Sequence, residues 1–186
     1  MCEIPRQRVC GMCRLRKTRR QVVVSDGGIR RCGVVVVGEA PGADEDERGK
    51  PFVGVSGRLL RRAVASYAGF VLGEDAVVLN TVSCHPPRNR DPKDDEKAAC
   101  LNWLRLNLRR IKPKIVLSVG KHAAATFTSE RDRGIFLSRQ YLYEMWREYG
   151  FIMMHVWHPS YLLRNRKQLN EWHRHLRIFG ERRLEI

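Results

Sequence analysis

The sequence contains no run of about 18 apolar residues, so it offers no candidate for a membrane-crossing helix. Its first residues, Met1-Cys2-Glu3-Ile4-Pro5-Arg6, lack the apolar stretch of a secretion signal, and a soluble, cytoplasmic protein is expected. Internal repeats, low-complexity segments and linkers are also missing, which makes one globular domain over residues 1–186 the expectation. Acidic residues are scarce: 20 Asp and Glu stand against 35 Lys and Arg, a formal net charge of +15. That excess points to a polyanion, nucleic acid before an anionic membrane. Six cysteines could form three disulfides in a secreted protein, but in a reducing compartment they read as metal ligands plus spare thiols.

Hydrophobic residues make up 43% of the chain, enough for one sizeable core. Residues 1–32 read as a basic arm, with Cys10-Gly11-Met12-Cys13 followed by Arg14, Arg16, Lys17, Arg19 and Arg20. Val34 to Val37 is an all-apolar, β-branched run closed by Gly38, the pattern of a strand buried on both faces. Similar runs recur at Ala76 to Val82, Ile115 to Val119 and Phe151 to Trp157. Helical patterns lie between them at Gly57 to Ala68, Lys93 to Leu108 and Lys121 to Phe127, and a last one covers Asn170 to Arg183. Alternating strands and helices predict an α/β fold, a parallel sheet with helices on both faces. Ligands of such sheets sit at the carboxyl ends of the strands, where the unusual sequence of this chain is concentrated.

The segment after the first strand runs Gly38-Glu39-Ala40-Pro41-Gly42-Ala43-Asp44-Glu45-Asp46-Glu47-Arg48-Gly49-Lys50-Pro51-Phe52-Val53-Gly54. It is not a phosphate-binding P-loop. Six residues separate Gly42 from Gly49, Pro51 stands where a Ser or Thr would hold magnesium, and the acidic run would repel a triphosphate. What remains is a tight turn with carboxylates and an aromatic, suited to a neutral ring and an activated water.

This segment resembles the first motif of family 4 uracil-DNA glycosylases. Asn80-Thr81-Val82-Ser83-Cys84-His85-Pro86-Pro87-Arg88-Asn89-Arg90-Asp91-Pro92 is similar to their next block, and His158-Pro159-Ser160-Tyr161-Leu162-Leu163-Arg164-Asn165 to their His-Pro loop. The matches run in family order from Cys10 to about Asn165 and depart from the usual pattern at Ser83 and His85. The resemblance implies a three-layer α/β/α sandwich with a four-stranded parallel sheet. It also implies a monofunctional enzyme of base excision repair, which hydrolyses the N-glycosidic bond of flipped-out deoxyuridine and acts as a monomer on uracil-containing DNA.

The resemblance assigns Cys10, Cys13, Cys84 and Cys100 to a structural four-iron, four-sulfur cluster. The residues alone agree in part, since a Cys-x-x-Cys pair is a chelating bite, yet zinc also accepts four thiolates. Cys2 and Cys32 match nothing and read as free thiols. In the pocket, Phe52 resembles the stacking aromatic and Asn80 the amide that reads O4 and N3–H of uracil; Glu39, Ala40 and Gly42 complete the base site. His158 resembles the histidine that supports the departing ring. The family 1 enzymes carry Asp where this chain has Ala40, so Glu45 matches the acidic position that would position water, with Glu39, Asp44, Asp46 and Glu47 as rivals. Arg88, Arg90, Ser160 and Arg164 are candidate phosphate contacts, and Leu162 or Leu163 could wedge into the gap left by the flipped base or face the core instead. Alternatives from other classes are a non-catalytic or covalent uracil-DNA binding protein and a zinc-ribbon nucleic-acid module. The covalent branch has an inserted basic loop with a reactive His, and no such insertion stands near Arg88 to Pro92.

Overall fold

The computed structural model describes residues 10–27, 33–127, 144–146 and 150–186, so Cys2 and Cys32 lie outside the described residues. Four parallel strands, β1 (Val34–Gly38), β2 (Val77–Asn80), β3 (Ile115–Val119) and β5 (Phe151–Val156), occupy the four runs read from the sequence. A short strand β4 (Glu144–Trp146), which no sequence signal marked, pairs antiparallel on the outer edge of β5. The strand order is β2-β1-β3-β5-β4. The chain leaves β1 towards β2 on one side and returns to β3 on the other, so a crevice opens between the carboxyl ends of β1 and β3.

Every residue of β1 is buried, and its side chains alternate between two cores as the two-residue period of a strand requires. Val34 and Val36 join Leu60, Leu117, Met154, Trp172 and Phe179 on one face. Val35 and Val37 join Leu79, Leu104, Leu108, Val116 and Met153 on the other. Helices α2 (Val55–Ala63) and α6 (Leu169–Leu184) cover the first face; α3 (Asp94–Ile111) and α4 (Lys121–Phe127) cover the second. A third cluster gathers Leu15, Val22, Val82, Cys84 and Cys100, with Cys10 and Cys13 packed against it.

Element boundaries differ from the sequence reading for local reasons. β2 stops at Asn80 because Thr81 and Val82 turn to donate their N–H groups to the carbonyls of Gly38 and Glu39. The helix expected to Ala68 becomes a wider π turn over Val64–Ala68, closed by Gly69 at φ +69°. α3 runs one turn beyond Leu108, burying Ile111, and ends where Lys112 takes a left-handed conformation ahead of Pro113.

Arg90 does not project as a free phosphate clamp. Its guanidinium forks onto Glu96, with Nη1 donating to Oε2 at 2.8 Å and Nη2 to Oε1 at 2.6 Å, and the Lys93 N–H also donates to Oε2 at 2.8 Å. The Glu96 side chain is fully buried, so this pair fastens the loop after β2 to the start of α3. Removing one partner of such a pair strands a charge away from water. Arg90→Ala should therefore lower the thermal midpoint by several degrees in calorimetry, whereas Arg88→Ala, at an exposed position, should leave it unchanged.

Candidate active site

A cleft of about 1010 Å³ opens at the carboxyl ends of the strands, lined by residues of all three motifs. Its inner wall is organised by Gly38, the last residue of β1. A Cβ added there would stand 2.5 Å from Asn80 Oδ1 and 2.5 Å from Phe52 Cζ, distances no side chain tolerates. The strand end thus brings an amide and a flat aromatic ring together by having no side chain of its own. Asn80 lies opposite Gly38 in the β1–β2 register and is buried.

Phe52 sits at φ +54°, a left-handed conformation that costs a non-glycine residue of order 1 kcal/mol or more. Arg61, which the sequence reading missed, holds it there. Its side chain donates to the carbonyls of Phe52 (2.9 Å), Pro51 (2.9 Å) and Leu72 (2.7 Å) and to Asp26 Oδ2 (2.5 Å). Gly57 admits the same turn, since a Cβ would fall 2.2 Å from the Phe52 carbonyl carbon.

Glu45 is buried on α1 (Ala43–Arg48), and its carboxylate accepts three backbone N–H groups: Gly42 at 3.0 Å, Val53 at 2.8 Å and Gly54 at 2.7 Å. These bonds close the motif loop and leave the carboxylate about one lone-pair site for a further donor such as water. Two of its rivals are committed elsewhere. Asp46 accepts the N–H groups of Arg20 and Gln21, and Glu47 pairs with Arg20 on the surface. Glu39, Ala40, Gly42 and Asp44 line the cleft beside Glu45.

His158 approaches from the other side, its ring centroid 6.3 Å from that of Phe52. Its Nδ1 accepts the Ser160 backbone N–H at 3.2 Å and lies 2.7 Å from Ser160 Oγ. With Nδ1 an acceptor, the ring proton sits on Nε2. Burial, helped by the Arg164 charge, lowers the His158 pKa to about 4. The ring is thus a neutral N–H donor. Ser160, read from the sequence as a phosphate contact, spends both its donors on this histidine. The short helix α5 (Pro159–Arg164) separates the two leucines: Leu162 is fully buried in the core, while Leu163 is 42% exposed at the cleft rim beside Arg164.

The four predicted ligand cysteines meet in one place. Cys84 and Cys100 are buried and Cys10 and Cys13 half-buried, packed with Leu15, Val22 and Val82. Burial pushes the Cys84 thiol up and that of Cys100 up to about 11, so a metal bound here would displace protons. Arg19 Nη1 donates to Cys84 Sγ at 3.0 Å and Nη2 to the Cys10 carbonyl at 2.6 Å. Four soft donors gathered in one patch, with a cation on one sulfur, could hold a metal ion or a metal–sulfur cluster. Arg19 is one of several cations in the arm, and nothing in the sequence singles it out.

An amide, an aromatic face, a neutral imidazole donor and a buried carboxylate converging at the switch point of a parallel sheet define a pocket for a planar base beside a basic surface. Residues 25–178 match the family model of the Uracil DNA glycosylase superfamily. A type-4 uracil-DNA glycosylase of Saccharolobus solfataricus is 36% identical over 88% of this chain and 78% of its own. Another from Thermotoga maritima is 36% identical over 89% and 85%, and one from Sulfurisphaera tokodaii 34% over 87% and 76%. The chain belongs to the uracil-DNA glycosylase superfamily and, within it, to the type-4 family.

Two outcomes follow from the geometry. Gly38→Ala should push Phe52 and Asn80 apart and abolish binding of free uracil in calorimetry while the far-ultraviolet spectrum persists. His158 should stay neutral through pH 5 in an NMR titration. Its folded pKa lies below the unfolded value near 6.5, so the unfolded chain binds the proton first and stability falls as pH drops from about 6.5 towards 4.

Proposed function

We propose that this chain excises uracil from DNA, and that the convergence of Phe52, Asn80 and His158 on one cleft is what makes it a glycosylase. A deoxyuridine flipped out of the duplex stacks on Phe52, and Asn80 donates to O4 while accepting from N3–H. The C1′–N1 bond breaks with its electron pair passing to the ring. His158 Nε2–H donates to O2, where negative charge collects; a neutral donor does this without having to lose a proton. A water held at the free site of Glu45 attacks C1′ and its proton passes to the carboxylate, leaving uracil and an abasic sugar. Arg88 and Arg164 engage phosphates, and Leu163 fills the space the base has left.

Cys10, Cys13, Cys84 and Cys100 hold a four-iron, four-sulfur cluster whose role is structural: it ties the N-terminal segment to α3 and the loop after β2. The grouping of the four thiols, two of them buried, and the Arg19 bond support this reading. The protein acts as a monomer in the cytoplasm.

Base release from oligonucleotides under single turnover tests the reading. Glu45→Gln and His158→Ala should each slow uracil release by roughly 10²-fold or more with little loss of DNA binding. Asn80→Asp should lose most uracil release and gain a slow release of cytosine, because two acceptors now face the cytosine amine. Cys84→Ala should lose iron and thermal stability; anaerobically purified protein holding zinc and no iron would refute the cluster.

A further inference from the structure

Three groups outside the catalytic set meet at the crevice between β1 and β3. Glu39 follows β1, His122 lies in the first turn of α4 after β3, and Asp91 comes from the loop after β2. One ligand atom from each lies within 4.8 Å of the other two. His122 Nε2 stands 3.1 Å from Asp91 Oδ2 and 3.8 Å from Glu39 Oε1. One imidazole nitrogen therefore faces two carboxyl groups and is within hydrogen-bond distance of only one. Glu39 Oε1 is shut off from solvent and has no hydrogen-bond partner.

We propose that Asp91 and His122 are positioning residues that keep Glu39 protonated, so that the wall of the uracil pocket carries no negative charge while the base leaves. Burial, opposed by the neighbouring Asp91 charge, lowers the His122 pKa, so a single Nε2 proton is at hand and Asp91 takes it. An ionised Glu39 would then have a dry oxygen with no donor, which disfavours the charged form. Burial first, and then the Asp91 charge, raises the Glu39 pKa to about 7; Lys97 on α3 and Lys121 on α4 pull the other way and do not win. A carboxylate here would repel both the uracil anion and the incoming phosphates. A carboxylic acid does neither.

This inference rests on the proposed glycosylase reading for its consequence, and the experiment separates the two. Uracil release under single turnover is measured from pH 5.5 to 9 on wild type, Glu39→Gln and Asp91→Asn, alongside the carbon-13 titration of the Glu39 carboxyl in the wild-type protein without DNA. Wild type should slow as pH rises through about 7. Glu39→Gln should lose that alkaline limb whatever its absolute rate. Asp91→Asn removes the like charge and frees the His122 donor for Glu39, so Glu39 ionises more easily and the limb moves to lower pH. A Glu39 carboxyl that titrates in the ordinary range near 4.5, a limb retained in Glu39→Gln, or a limb unmoved in Asp91→Asn would each overturn the inference. Absence of uracil release at every pH would sink the glycosylase reading instead, while the Glu39 titration still decides the protonation.

Discussion

The pocket depends on a side chain that is not there. Gly38 ends β1 with an Oδ1 and a ring carbon each 2.5 Å from where a Cβ would be, so β1 can deliver the chain to the cleft only as glycine. The strand itself is immobilised by valines locked into two opposed cores. Asn80 is then placed by strand register, and Phe52 by a left-handed turn that Arg61 and Gly57 hold against its own strain. The recognition surface is thus rigid before any ligand arrives, and the cost of ordering it falls on folding, not on binding.

The electrostatics divide the molecule into two regimes. The chain carries +15, and such a field draws a polyanion in from a distance and weakens with salt. Inside the cleft, charge is restricted and locally compensated. Burial keeps His158 uncharged, three N–H groups compensate Glu45, and desolvation raises the pKa of Glu39. The long-range attraction and the local chemistry of the cleft are thus set by different groups.

Much of this was legible in the sequence because the signals are local. The short apolar runs marked all four parallel strands, and the glycine-rich turn, the Asn80 block and the His-Pro loop marked the three segments that line the cleft. What stayed hidden depends on pairing across distance. Arg90 and Ser160 read as free donors because nothing local shows that Glu96 and His158 consume them. Arg61 sits in a helix whose sequence gives no hint of the carbonyls it gathers. Leu162 and Leu163 are chemically identical, and only the turn of α5 decides which is core and which is rim. β4 is three residues long and has no pattern of its own.

Gly38 lets Phe52 and Asn80 stand together at the cleft before any ligand is bound, and the proposed reading of uracil depends on that arrangement. A crystal structure of the protein with free uracil tests it most directly. The ring should stack on Phe52, with the Asn80 amide within hydrogen-bond distance of O4 and N3, His158 Nε2 at O2, and no rearrangement of the strand ends. Uracil bound away from these three groups, or a cleft still empty at saturating uracil, would contradict it.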